Sequence, residues 1–161
     1  MDILEYAMKM EKDGEAYYRE QAGKVKDRNA ARFLGFLVRE EQKHYEIIRS
    51  YRQGVTEELD SSFIENVKTL FEEMRQQGEA FREGDGGTLA VLNHGLELED
   101  RSIRFYVEKM TETSDAKLRD ILYFLKRQED RHYGMLSSLI DYYLKPQLWT
   151  EQAEFTHLED Y

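Results

Sequence analysis

Two stretches of this chain place a glutamate and a histidine three residues apart: Glu41 and His44 in REEQKHYEII, and Glu129 and His132 in RQEDRHYGML. Residues three apart on a helix project from one face, so each pair can reach a single centre. A further glutamate lies thirty positions upstream of each pair, at Glu11 and at Glu99. Four carboxylates and two imidazoles make a mixed oxygen and nitrogen donor set suited to iron or manganese. The negative charges of the four carboxylates balance two divalent ions.

These residues stand where core residues belong. Leu34, Leu37, Glu41, His44, Ile48 and Tyr51 follow one another at helical steps of three and four, as do Leu122, Leu125, Glu129, His132, Leu136, Leu139 and Tyr143. A third stripe holds Leu4, Ala7, Glu11, Gly14, Tyr18 and Val25. Removing a carboxylate from water costs several kcal/mol unless a cation or hydrogen bonds compensate. The stripes contain no arginine or lysine to do so. A bound cation resolves the conflict. A lone Glu-x-x-His pair is weaker evidence, as Glu154 and His157 near the C-terminus illustrate. What sets the internal pairs apart is their place on apolar stripes and their duplication.

The duplication has a fixed offset. Glu11 and Glu99, Glu41 and Glu129, and His44 and His132 are each 88 positions apart, and MEKDGEAYY aligns with LEDRSIRFY under the same shift. Two copies of one unit packed about a pseudo-twofold axis are expected. The elements that must position the donors are four long helices. They are expected over about residues 2–25, from a turn near Asp27–Asn29 to about Arg52, from about Thr88 to Thr111, and from a cap at Ser114 or Asp115 to Leu144, just before Pro146. Short turns make each consecutive pair an antiparallel hairpin. The crossover, about residues 54–87, carries a capping box at Ser62 and Glu65 and the amphipathic piece FIENVKTLFEEM. The expected architecture is an all-α four-helix bundle over residues 1–145. Residues 146–161, with Trp149 and Phe155, form a tail that docks on the bundle or on a neighbouring subunit.

The chain has 161 residues, a net charge of −10, one proline and no cysteine. The acidic balance argues against nucleic acid and anionic membranes as partners. The absence of cysteine excludes disulfides, zinc-thiolate sites and iron–sulfur clusters. No apolar run approaches roughly 20 residues, and no signal peptide is read, so a cytoplasmic protein is expected.

The Glu11, Glu41-x-x-His44 and Glu99, Glu129-x-x-His132 arrangement resembles the rubrerythrin branch of the ferritin-like superfamily. MEKDGEAYY and EEQKHY resemble its helix signatures, and the likeness covers about residues 2–53 and 88–144. The resemblance implies two iron ions, with manganese or zinc as alternatives, bridged by Glu41 and Glu129. Glu11, Glu99, His44 and His132 would be terminal ligands. It implies that Tyr18 and Tyr106, each seven residues past a ligand glutamate, hydrogen-bond the metal-binding carboxylates. The implied function is an oxidoreductase acting on hydrogen peroxide or dioxygen, as a homodimer. Without a rubredoxin module, its electrons must come from an external donor protein. Iron handling with ferroxidase activity and a purely structural metal site are the alternatives. The pattern departs from the family at Ser102, where a further glutamate is expected. Glu97 lies about 200° around the helix from Glu99 and cannot stand in for it. Glu15 is read as a surface or supporting residue, Glu40 as solvated and His94 as a surface residue.

Overall fold

The computed structural model describes residues 1–55, 59, 62–77, 81 and 86–152, the side chains of 86 and 150–152 excepted. The described residues form six helices and no strand: α1 (Ile3–Lys24), α2 (Arg28–Arg52), α3 (Phe63–Gln76), α4 (Gly86–Glu112), α5 (Ala116–Leu144) and α6 (Gln147–Gln152). The four long helices lie where the periodicity places them, and the chain is an all-α bundle of the ferritin-like kind. α1 packs along α2 and α4 along α5, which gives the two hairpins.

Aspartates fix the starts of three long helices. Asp2 and Glu5 of α1 cap one another reciprocally, through Glu5 N–H to Asp2 Oδ1 at 2.8 Å and Asp2 N–H to Glu5 Oε2 at 3.3 Å. Asp27 accepts the Ala30 N–H at 2.9 Å. Its repeat counterpart, Asp115, accepts those of Lys117 and Leu118 at 3.0 and 3.2 Å, so the cap of α5 is Asp115 rather than Ser114. Each of these two caps also receives a tyrosine hydroxyl from the far end of the other hairpin. Tyr143 donates to Asp27, and Tyr51 donates to Asp115 at 2.5 Å. These bonds fix the antiparallel register of α2 against α5. Gly54, at φ 76°, follows the end of α2 in the left-handed conformation that glycine adopts without steric cost.

The crossover helix α3 begins at Phe63, as its pattern predicts, but the expected capping box does not form. The Ser62 side chain caps no backbone N–H and instead accepts from Asn66 Nδ2 at 3.1 Å. What seats α3 is its apolar face, since Phe63, Val67, Leu70, Phe71 and Met74 are buried. Trp149 of α6 is buried in turn against Phe71 and Phe81, with ring centroids 5.6 and 5.0 Å away. Glu154, Phe155 and His157 lie outside the described residues.

The apolar core is divided. One part gathers Phe33, Leu34, Leu37, Leu92, Leu136 and Leu139 with the buried face of α3. The other gathers Ala7, Ile48, Tyr106, Leu122 and Leu125. A polar layer made by the glutamates and histidines of the repeat separates them along the same stripes.

Candidate metal centre

Each of the four long helices contributes to this layer. Glu11 comes from α1, Glu41 and His44 from α2, Glu99 from α4, and Glu129 and His132 from α5. All six side chains are buried, Glu129 and His132 completely. Helical spacing explains the grouping: in each hairpin the first helix supplies one glutamate opposite the Glu-x-x-His of the second.

The donor atoms form two overlapping groups, each with its atoms within 4.8 Å of one another. One holds Glu11, Glu41, His44 and Glu129; the other holds Glu41, Glu99, Glu129 and His132. Glu41 and Glu129 belong to both. In each histidine it is Nδ1 that faces the carboxylates. His44 Nδ1 lies 3.0 Å from Glu129 Oε1 and 3.4 Å from Glu11 Oε2. His132 Nδ1 lies 3.2 Å from Glu129 Oε2, 3.5 Å from Glu41 Oε1 and 3.6 Å from Glu99 Oε2. The two imidazoles are nearly parallel, with centroids 5.3 Å apart.

Tyr18 and Tyr106 cross between the hairpins. The Tyr18 hydroxyl on α1 donates to Glu99 Oε1 on α4 at 2.6 Å, and that of Tyr106 on α4 donates to Glu11 Oε1 on α1. Each tyrosine thereby engages one carboxylate oxygen and leaves the other facing a histidine. Burial pushes both phenols well above their usual range, and the neighbouring carboxylates push further, so both remain proton donors.

The residues fit a bound cation. Glu11 Oε2, Glu41 Oε1, Glu129 Oε2 and His132 Nδ1 are buried without a hydrogen-bond partner, although opposite charges stand within ion-pair distance. Lone pairs that approach this closely without hydrogen-bond alignment suit metal coordination better than pairing with one another. In the absence of a cation, protons must fill that role. Burial, then the charges of Glu129, Glu11 and Glu99, raise Glu41 well above the usual carboxylate range. Burial and the charges of Glu99 and Glu11 do the same to Glu129. Burial opposes ionisation of Glu11, but the His44 charge, the proximity of Glu41 and the Tyr106 hydroxyl hold it at about 2. For both histidines burial opposes protonation, and the surrounding carboxylates outweigh it and raise them.

Glu40 is a correction to the sequence reading. It is not solvated: it is 3% exposed, lies 3.0 Å from Lys43, and has Oε1 3.9 Å from His132 Nε2, the ring nitrogen turned away from the cluster. Burial works against its charge, but His132 and Lys43 hold it down at about 2. The available signal was the run Phe36, Glu40, His44, at steps of four beside the main stripe. α3 and α5 cover that flank as well. The repeat counterpart of Glu40 is Gln128, which is also buried. Glu15 is buried too but points elsewhere, bonded to Lys12, Arg19 and Gln42. His94 is a surface residue, 3.5 Å from Glu97 and edge-on to Tyr17.

Among the described residues, the two sides of the cluster differ in how open they are. Between α1 and α4 a cleft of about 360 Å³ has Glu41, Glu99, Gly14 and Ser102 among its lining. On the α2–α5 side Phe63 of α3 lies over His132, with centroids 5.6 Å apart, and a space of only about 20 Å³ remains beside Glu40, His44 and Gln128.

The model of the family described as Rubrerythrin matches residues 2–140, a span that includes every residue of the cluster. No curated protein and no solved structure was found to match the chain.

Proposed function

The chain belongs to the rubrerythrin family, and from that premise we propose that it is a non-haem di-iron oxidoreductase that reduces peroxide, or reacts with dioxygen, using electrons from an external donor protein. The observation that carries this reading is the sharing of Glu41 and Glu129 between two ligand groups, which favours a pair of ions over one. In this reading Glu41 and Glu129 would be shared by the two ions, while Glu11 with His44 and Glu99 with His132 would hold one ion each. The metal pair would supply two electrons, one from each ion.

The chain's own groups do the rest. Tyr18 and Tyr106 hold their protons on the hydroxyl oxygens and orient Glu99 and Glu11 by donating to one carboxylate oxygen of each. The apolar clusters on either side exclude water from the polar layer and strengthen its electrostatics. Glu40 stands beside His132 Nε2, where it supports the orientation in which Nδ1 faces the cluster. Reduction of hydrogen peroxide by two electrons and two protons gives two waters, and the α1–α4 cleft is the route by which substrate and protons arrive.

The test is the absorption spectrum of the iron-loaded protein. Reduction should bleach the near-ultraviolet absorption of the oxidised iron pair, and one equivalent of peroxide should restore it. An iron-loaded protein whose spectrum responds to neither step would contradict the oxidoreductase reading.

A further inference from the structure

The α1–α4 cleft is larger than its assigned traffic needs. Hydrogen peroxide and dioxygen have two heavy atoms each, whereas about 360 Å³ lies in the range that organic ligands occupy. Its innermost lining is made of Glu41 and Glu99, flanked by two small residues of the repeat, Gly14 and Ser102, 88 positions apart. A Cβ at Gly14 would stand 3.4 Å from Glu41 Oε2, so the absence of a side chain keeps this carboxylate reachable. The Ser102 hydroxyl is turned back to the Leu98 carbonyl at 3.2 Å and does not compete for the opening. Further out the walls combine apolar and aromatic surface, from Met10, Leu98, Phe105 and Tyr6, with charged residues that include Asp13 and Glu108. Three cations lie along the same lining: Lys9 is engaged by Asp13 at 2.6 Å, Arg104 by Asp100 at 3.0 Å, and Arg101 stands exposed at the outer part. An occupant that fills the cleft therefore meets the carbon surface of Met10, Leu98 and Phe105 along its body, charged groups at the mouth, and the carboxylate cluster at its inner end.

We propose that the cleft is a substrate site for organic hydroperoxides, ROOH, in which R is an apolar alkyl or aralkyl group packed against Met10, Leu98 and Phe105. The proposal rests on the peroxide-reducing reading above and narrows it. The O–O bond breaks, ROOH takes up two electrons and two protons, and the products are ROH and water. The electrons come from the reduced iron pair, one per ion, and are replaced by the external donor; the protons come from solvent along the cleft.

Two measurements on the whole chain test this. In the first, the reduced iron-loaded protein is mixed anaerobically with cumene hydroperoxide or with hydrogen peroxide. Reoxidation by both is expected, with one 2-phenyl-2-propanol formed per iron pair oxidised. Ser102→Phe, which fills the inner cleft, should lower the ratio of the cumene hydroperoxide rate to the hydrogen peroxide rate by at least about tenfold. If Ser102→Phe loses its helical circular dichroism, Leu98→Trp supplies the block and leaves the Met10 methyl in place as the probe. In the second, the redox-inert product 2-phenyl-2-propanol is titrated into metal-free protein and the Met10 methyl resonance is followed. Saturable displacement, lost in the blocked variant, supports the site. Reoxidation by hydrogen peroxide alone, an unchanged rate ratio in a folded blocked variant, or no saturable response at Met10 would overturn the proposal and leave the peroxide reading standing. Failure of both oxidants would overturn that reading and the proposal with it.

Discussion

On the α1–α4 side of the carboxylate cluster, Gly14 and Ser102 flank the buried glutamates and a cleft of about 360 Å³ opens above them. On the α2–α5 side, Phe63 lies over His132, Glu40 and Gln128 fill the flank, and about 20 Å³ is left. Both faces are built from the same repeated hairpin. The repeat places Glu11, Glu41 and His44 against Glu99, Glu129 and His132 with near equivalence, and it says nothing about which side opens. The crossover decides that. α3 has no repeat counterpart, and its buried face can cover only one side of the bundle. A duplicated unit thus supplies a symmetric set of donor groups, and among the described residues an inserted helix covers one of its two sides.

The largest effect should come from a residue the two ligand groups share. Glu129→Ala removes a donor from both, so metal content measured by elemental analysis should fall towards zero. Glu15→Ala, whose carboxylate is bonded to Lys12, Arg19 and Gln42 away from the cluster, should leave it unchanged. A Glu129→Ala protein that retains both ions would break the symmetric half of the comparison.

Next comes pH. Glu41, Glu129 and His132 are raised in the metal-free fold, and the stability such groups contribute is fully present below their ordinary values. That contribution is lost as pH rises through the folded values, starting from 4.5 for the carboxyls and 6.5 for the imidazole. Glu11 is depressed to about 2 and acts in the opposite sense, its contribution fading as pH falls from 4.5. Cation binding must displace the protons held by the raised groups. Affinity should therefore climb with pH, by about tenfold per unit for each proton released. Titration of metal uptake in weak buffer, with proton release recorded, checks this; pH-independent affinity would contradict the assignment of those groups as ligands.

The closed face should be a matter of stability. Phe63→Ala removes a ring buried on His132 and Phe36 and should cost the metal-free protein roughly 3–5 kcal/mol in denaturant unfolding. A cost below about 1 kcal/mol would mean that α3 does not seal this side. The smallest effect probes the inequality within the closed face. Glu40→Gln should weaken binding at the His132 position by about 10–100-fold. Gln128→Ala, which removes no charge, should do less at the other. Equal losses would erase the distinction between the two positions.

Much of this was legible in the sequence. The four long helices, the hairpins and the convergence of six donor side chains all follow from one pattern, polar residues recurring on apolar stripes at an offset of 88. Three things were not legible, and for one physical reason. Glu40 was read as solvated because a single-helix stripe counts only the face towards the opposite hairpin; α3 and α5 together bury its flank. The capping box at Ser62 was read from residue types alone, whereas α3 is held by its apolar face and Ser62 bonds Asn66. The cleft likewise depends on the distance between α1 and α4, which periodicity does not set. Each of these features is decided by how helices pack, after the pattern has decided that they form.

The central claim is a two-ion centre whose halves share Glu41 and Glu129. The most direct measurement is the stoichiometry of ferrous ion bound per chain under anaerobic titration, read by elemental analysis after removal of free metal. Two ions per chain are predicted, both lost in Glu41→Ala. No binding, a single ion, or two ions retained in Glu41→Ala would contradict it.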